Sequence, residues 1–417
     1  MTQMLRRNEP LNRKAAAILD SWFENGNAVL FDIETTGLSH RRTQLYLIGA
    51  IAEENGSWIL RQWFLDDPKE EKELLIAFSS YLRSFFTDPS DPPMLIHFNG
   101  DTFDVPYIRN KCSVYGLPDP FDGMISLDIY RKFRPYRKLF GLEKMRQKDL
   151  EQCLEISRDD EMSGGELIDV YHGFLRSGNE ADLRLLLLHN HDDVTGMAEL
   201  ISALAVPELF DGTLSSEAPE ISGDVLNFQL HTHHQLPEVF LRKILPLHVL
   251  MARPGSSGKR GTDLPAPEPV SLMLTCTSQP TDECSPDKPA KSSSSALLLH
   301  VPLYRGDMLH FFSDYKNYWY FPEQDGVIHK DLAIYASSAH REKACPENCY
   351  QRVTGRVFCP QPEDIYTPSC CRSYRSFPSW FVLTENVWDD AEKRSAYIRS
   401  LLHQFLSAQD NDSVRHT

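Results

Sequence analysis

Three short acidic runs hold the residue types best suited to chemistry. Asp32-Ile33-Glu34-Thr35-Thr36-Gly37 closes an apolar run, Ala28–Ile33, that reads as a strand. Alternation along a strand puts Asp32 and Glu34 on one face. Neighbouring carboxylates repel each other unless cations lie between them, and such oxygen donors suit Mg²⁺ or Mn²⁺. Asn99-Gly100-Asp101-Thr102-Phe103-Asp104 follows a second apolar run, Met94–Phe98. There Asn99 and Gly100 make a turn and Asp104 opens a helix. His189-Asn190-His191-Asp192-Asp193-Val194 falls late in a helical stretch. His189 and Asp193, at i and i+4, share a face, while His191 and Asp192 point elsewhere. Asp32, Glu34, Asp104 and Asp193 together supply four carboxylates. That is enough for two divalent ions a few Å apart, the arrangement that suits in-line attack of water on a phosphodiester. His189 beside them, with an ordinary pKa of about 6.5, suits removal of the water's proton.

The elements that must position these residues follow from periodicity. Residues 1–26 read as a short helical extension through Ala15, Ile18, Leu19, Trp22 and Phe23, closed by Asn25-Gly26. Tyr46–Ala52 and Ser57–Phe64 read as a hairpin around Glu54, Asn55 and Gly56. Glu70–Phe86 has the spacing of a helix with one apolar side. Asp104–Tyr115 continues as a helix, Met124–Asp128 is a short strand, and helices fill most of Arg131–Ala205. Hairpins mixed with helical crossovers predict an α/β domain over 27–204, a mixed sheet flanked by helices.

The three motifs resemble those of the DEDD (DnaQ-like) 3′–5′ exonucleases, most closely the YprB-type ribonuclease H-like domain. The resemblance covers roughly residues 27–204. It implies a ribonuclease H-like fold and removal of nucleotides from a 3′ end with two Mg²⁺ or Mn²⁺ ions. By motif position it implies Asp32, Glu34, Asp104 and Asp193 as metal ligands and His189 as the base. Three residues separate His189 from Asp193. The common His-type members of the family have four and the Tyr-type members three; YprB-type sequences combine the His with the shorter spacing. A structure-selective endonuclease of the same fold and a non-catalytic binding protein are the rival expectations.

Charge points the same way once it is read locally. The net charge of −16 runs against a general nucleic-acid binder. Yet Arg131–Lys148 carries eight Lys or Arg against Glu143 alone, +7 within 18 residues. Phe133, Tyr136 and Phe140 are interleaved with these cations. Cations contact phosphates and rings stack on unpaired bases; the alternative is a solvated face over core aromatics. Thr35, Asn99, Arg131, Lys132, Arg134, Arg137 and Lys138 are therefore candidate contacts to a single strand of RNA or DNA. No apolar stretch approaches the roughly 20 residues of a membrane helix, and no secretory signal pattern opens the chain. The expectation is a cytoplasmic protein whose nine cysteines stay reduced.

The 417-residue length fits two or three domains at about 150 residues each. Residues 205–417 read as a β-rich α+β accessory domain, with strands at Asp224–Leu230, Leu245–Ala252, Val270–Cys276 and Ala296–Tyr304. A Pro/Ser/Gly/Thr-rich linker spans 253–296. Helical patterns follow at Lys330–Lys343 and Asp390–Ala408. Cys345, Cys349, Cys359, Cys370 and Cys371 match no common ligand spacing, which favours free thiols over a zinc or iron–sulfur site. The aromatic run Phe311–Phe321 reads as core and rim rather than a stacking platform. His231, His233, His234 and His329 have no evident metal-binding partner.

Overall fold

The computed structural model describes residues 4–85, 90–211, 214–216, 218–251, 270–277, 296–335 and 340–412. Contacts divide the chain into two compact units, Met1–Pro207 with His234–Val239, and Glu208–His233 with Phe240–Thr417.

The first unit is built on a six-stranded mixed sheet. Its strands are β1 (Leu5–Pro10), β2 (Ala28–Thr35), β3 (Leu45–Glu54), β4 (Ser57–Phe64), β5 (Met94–His97) and β6 (Ile125–Asp128), in the order β1-β4-β3-β2-β5-β6. The first four pair antiparallel, and β2, β5 and β6 run parallel. The helices are α1 (Arg13–Trp22), α2 (Glu71–Arg83), α3 (Asp104–Val114), α4 (Ile129–Phe133), α5 (Gln147–Cys153), α6 (Gly164–Ser177) and α7 (Glu180–Leu200). They cover both faces. Phe31 and Trp63 meet Phe78 of α2 on one side, while Asp32 and Gln62 meet Asn190 of α7 on the other. A sheet covered on both faces needs unbroken apolar strands, and every residue from Leu45 to Ala52 of β3 is buried.

The helical extension expected over 1–26 is corrected. Leu5–Pro10 is a strand that extends the sheet along β4, and α1 starts only at Arg13. The Asn12 side chain accepts the Ala15 N–H at 2.9 Å and caps that helix. The apolar spacing that signals a helix lies wholly after this cap, so periodicity said nothing about the residues before it.

The second unit is β-rich. After α8 (Ala205–Asp211), which contains the division point, come β7 (Leu214–Ser216), β8 (Glu220–Ser222), β9 (Val225–Thr232), β10 (Leu247–Met251), β11 (Val270–Thr277) and β12 (Ala296–Pro302). They form an antiparallel sheet ordered β10-β11-β12-β9-β7, with β8 also on β9. Two three-stranded sheets follow. One is β13 (Tyr304–Phe311), β17 (Tyr350–Gln361) and β18 (Ser379–Val382); the other is β15 (Gly326–His329), β14 (Tyr318–Phe321) and β16 (Glu342–Lys343). The last helix is α9 (Ala391–Asp412). Its buried Tyr397 joins Phe228, Tyr366, Phe381 and Trp388 in an aromatic core.

One expectation changes here. The described residues of the helix expected at Lys330–Lys343 are not α-helical: Ala333–Tyr335 is a short 3₁₀ turn and Glu342–Lys343 is β16, which β14 takes as a ladder partner. Leu332, Ile334 and Tyr335 lie exposed. Most of the expected linker, 253–269 and 278–295, lies outside the described residues. Within it Val270–Thr277 forms β11, between β10 and β12. The described cysteines are free, and Cys359 Sγ lies 3.0 Å from the Tyr397 hydroxyl. Among the described residues, no group close enough to hold an ion includes a cysteine. No described helix is long and apolar enough to cross a membrane.

Candidate metal centre

Three elements bring the acidic motifs together. Asp32 and Glu34 face α7 from the end of β2. The parallel strand β5 runs into the Asn99 turn, which delivers Asp104 as the first residue of α3. The α7 helix lies against β2 and β3 and carries His189 and Asp193. Its close approach depends on Gly49, the residue of β3 paired with Asp32. A Cβ at Gly49 would collide with Asn190 Oδ1 and press on Val194 at 2.9 Å. Asn190 is thereby fixed: its Oδ1 accepts Gln62 Nε2 at 2.9 Å and its Nδ2 donates to Asp32 Oδ2 at 3.0 Å.

The four carboxylates repel in every pairing. Burial first, then Asp193, Glu34 and Asp104, hold Asp32 well above the usual carboxylate range, against the Asn190 hydrogen bond. Burial, then Asp193, Asp104 and Asp160, do the same to Glu34. Asp104 is pushed up to about 7, by burial first and then by Asp128 and Asp193, against hydrogen bonds from the backbone N–H groups of Asp104 and Ile33. Asp104 is only 7% exposed and Glu34 8%. This is stored repulsion that a divalent cation would relieve. The donors are carboxylate oxygens with one imidazole nitrogen, a set that fits a hard divalent ion. Glu34, His189 and Asp193 each offer a ligand atom within 4.8 Å of the others.

His189 sits inside this centre. Its Nδ1 is 2.7 Å from Asp160 Oδ2, and its Nε2 is 3.5 Å from Glu34 Oε1 and 3.4 Å from Asp193 Oδ2. Asp160 belongs to the segment between α5 and α6, which is laced onto α7. Asp192 Oδ2 accepts the backbone N–H groups of Asp159 and Asp160, both at 2.8 Å. Arg158 in the same segment places Nη2 2.6 Å from Asp193 Oδ1 and Nη1 2.8 Å from Glu151 Oε2. Burial would raise Asp160, but Lys148 at 3.0 Å and His189 carry it below the ordinary range. So Asp192 points away from the centre, as its helical position requires, yet anchors the segment that braces it. Sequence reasoning missed Gly49, Gln62, Glu151, Arg158 and Asp160. Gly49 alone had a signal, a glycine inside an apolar strand.

A second group, His97, Asp101 and Asp128, also has ligand atoms within 4.8 Å of one another. Its carboxylates are already used. Asp128 Oδ1 accepts the N–H groups of Asn99 at 2.9 Å and Arg131 at 3.3 Å, and its Oδ2 accepts that of Asp101 at 3.4 Å. Asp101 accepts Ser126 Oγ at 2.7 Å and pairs with Arg131 Nη1 at 2.7 Å. His97 Nδ1 accepts the Gly100 N–H at 3.1 Å, and its Nε2 meets Ser126 Oγ at 2.9 Å. The group holds the left-handed Asn99 turn, φ 60°, and through it the start of α3.

The basic segment divides. Phe133, Tyr136 and Phe140 are buried, with Phe133 and Phe140 5.6 Å apart. They are core, which removes them as base-stacking groups. Arg131, Lys132, Arg134 and Lys138 are exposed and Arg137 half-exposed. Arg137 Nη1 donates to the Glu143 carbonyl at 3.1 Å, and Arg131 is spent on Asp101. Thr35 Oγ1 donates to the Gly37 carbonyl at 2.9 Å, and Asn99 Oδ1 accepts Thr102 Oγ1 at 3.0 Å.

Comparison with known proteins places this unit. A family model for the RNase_H superfamily matches residues 29–205. A DNA polymerase of Ostreid herpesvirus 1 (isolate France) is 40% identical over 52 residues, 12% of this chain and 2% of its own. E. coli exonuclease I in complex with a dT13 oligonucleotide is 16% identical, with a TM-score of 0.28 over 44% of this chain and 42% of its own. Exonuclease I from Methylocaldum szegediense is 14% identical, with a TM-score of 0.25 over 48% of this chain and 53% of its own. The chain thus spans about half, or far less, of each protein it matches. The family match coincides with the mixed sheet and its flanking helices, and the first unit therefore carries an RNase H-like domain of nuclease fold.

Proposed function

We propose that this protein is a metal-dependent 3′–5′ exonuclease that hydrolyses phosphodiester bonds in single-stranded nucleic acid, with two Mg²⁺ or Mn²⁺ ions. The observation that supports it is the meeting of Asp32, Glu34, Asp104 and Asp193, from three distant parts of the chain, in one cluster where each repels the others, Glu34 and Asp104 buried and Asp32 and Asp193 half-buried. Exonucleolytic action from the 3′ end rests on the likeness of the three motifs to the DEDD family.

Asp32, Glu34, Asp104 and Asp193 would hold the ions. Two divalent ions bound there would lower the pKa of the attacking water and offset charge on the leaving oxygen. The protein's own part is orientation and proton transfer. Asn190 fixes Asp32 Oδ2. Asp160 accepts from His189 Nδ1 in the tautomer that its carboxylate favours. With Nδ1 so engaged, His189 Nε2 faces Glu34 and Asp193, where it would take a proton from water. Lys132, Arg134, Arg137 and Lys138 contribute backbone-phosphate contacts, with Arg131 held on Asp101 beside them and Thr35 and Asn99 beside the acids as further contacts to the strand.

The test uses 5′-labelled single-stranded RNA and DNA with Mn²⁺, with Mg²⁺ or with EDTA, beside Asp193→Ala. The expected result is a metal-dependent ladder shortening from the 3′ end and lost in the variant. Discrete internal cuts would replace this reading with an endonuclease. No cleavage with either metal would leave a binding or scaffold role.

A further inference from the structure

Asp193 is shared between two demands. Its Oδ2 faces His189 and Glu34, whereas its Oδ1 is held by Arg158 at 2.6 Å. The Arg158 side chain is only 10% exposed, and both its Nε and its Nη2 are buried without a hydrogen-bond partner, so Nη2 meets Asp193 as an ion pair alone. Its other arm pairs at 2.8 Å with Glu151, whose side chain is fully buried. The segment carrying it cannot drift, because Asp192 ties down the next two residues and Asp160 is tied to His189 and Lys148. A guanidinium does not give up its proton in a protein. A permanent positive charge is therefore fixed against one of the four acids.

We propose that Arg158 is a resident counter-cation of the metal centre, a positioning residue that holds one oxygen of Asp193 and sets how tightly an ion is bound there. The proposal rests on the two-ion reading above. With no ion bound, the guanidinium offsets part of the repulsion among Asp32, Glu34, Asp104 and Asp193. When an ion takes up Asp193, it must share that carboxylate and sit beside a like charge. Like charges a few Å apart interact strongly even at an effective dielectric of about 20. Arg158 thus trades metal affinity for stability of the metal-free protein, and it leaves Asp193 one free oxygen toward the centre.

The experiment is Mn²⁺ titration of the full chain by calorimetry, with free Mn²⁺ followed by electron paramagnetic resonance. Arg158→Met keeps a long apolar stem and removes the charge; Arg158→Lys keeps the charge. The expected result is Mn²⁺ binding at least about tenfold tighter in R158M and within about threefold of wild type in R158K. R158M also strands Glu151, which can cost folding. E151Q and E151Q/R158M are therefore compared as a second pair, and the double variant binds Mn²⁺ at least about tenfold tighter than E151Q. Unchanged or weaker binding in both charge-removed variants overturns the proposal. If wild type binds Mn²⁺ and D193A weakens it while neither charge-removed variant tightens it, this inference alone fails. If none of the proteins binds Mn²⁺, the two-ion reading fails and takes the inference with it.

Discussion

Two groups of acids around a buried imidazole share the sheet of the first unit, and they differ in what answers their charge. At His97, Asp101 and Asp128 the carboxylates are met by three backbone N–H groups, Ser126 and the Arg131 guanidinium. At Asp32, Glu34, Asp104 and Asp193 the hydrogen-bonding and ion-pairing groups are Asn190, Arg158 and the backbone N–H groups of Ile33 and Asp104. His97, Asp101 and Asp128 in the first, and Glu34, His189 and Asp193 in the second, have the composition and spacing of a metal site. The first is a structural joint, because its charge is spent within it. The second keeps a surplus, and a surplus of buried negative charge persists when something outside the chain uses it. The difference lies in the donors around the acids, which composition does not reveal.

The largest effect separates the two groups by sign. Asp32→Ala should reduce metal-dependent cleavage at least about 100-fold, and it should raise the melting temperature of the metal-free protein, since one of four repelling acids is gone. Asp128→Ala should do the reverse. It leaves the Asn99, Asp101 and Arg131 N–H groups without their acceptor, at a cost of about 2–4 kcal/mol, while folded protein keeps its Mn²⁺ affinity. Urea unfolding and Mn²⁺ calorimetry on both variants decide the matter. A D128A protein as stable as wild type but deaf to Mn²⁺ would exchange the two roles.

Next in size is the response to pH, measured by urea unfolding in EDTA. Asp104 stands at about 7 in the fold, against an ordinary 3.8. Between those values the folded protein holds the proton that the unfolded chain has lost, so stability falls as pH rises through that window. Burial draws His97 below its ordinary 6.5, against the pull of Asp128 and Asp101. Below about 6.5 the unfolded chain takes up a proton that the fold resists, so stability falls as pH drops. Each slope is at most about 1.4 kcal/mol per pH unit. In the wild-type protein they oppose each other. Asp32 and Glu34, raised for the same reason, add to the Asp104 slope, so Asp104→Asn should make the fall in stability with rising pH shallower and His97→Gln should make it steeper. Mn²⁺ should remove the Asp104 slope and leave the His97 slope. Parallel profiles in the two variants would sink the contrast.

The motif residues were legible because a strand's two-residue period and a helix's four-residue spacing turn sequence into faces. Asp32 with Glu34, and His189 with Asp193, needed nothing more. The same logic sent Asp192 elsewhere, correctly, but could not say that it would anchor residues 159 and 160. Arg158 and Asp160 were illegible because they reach the site from a segment without periodicity. Phe133, Tyr136 and Phe140 stayed open between two readings for another reason. Aromatics among cations look alike in sequence whether they stack on bases or fill a core, and only burial separates the two. In the second unit, Leu332 and Tyr335 have the i, i+3 spacing of a helix, but a ladder with β14 governs Glu342 and Lys343 further on. Long-range pairing of this kind overrides local pattern.

The smallest expected effect tests whether the surplus extends to the surface. Arg131 neighbours both worlds: it opens the basic segment, yet its guanidinium is committed to Asp101 at 2.7 Å. Lys132 and Arg134 follow it on the same exposed stretch. If they contact phosphates, Lys132→Ala and Arg134→Ala should each weaken binding of a single-stranded oligonucleotide about two- to threefold, with the salt slope shallower by about 0.7 per residue. Their unfolding midpoints should not move. Arg131→Ala should lower the midpoint by removing the ion pair that closes the Asp101 group, with a smaller change in salt slope. Fluorescence anisotropy at several salt concentrations, paired with urea unfolding, reads both quantities on each variant. Equal salt slopes for all three would mean that Arg131 contacts nucleic acid as its neighbours do. The boundary between structural joint and working surface would then run through the Asp101 pair instead of beside it.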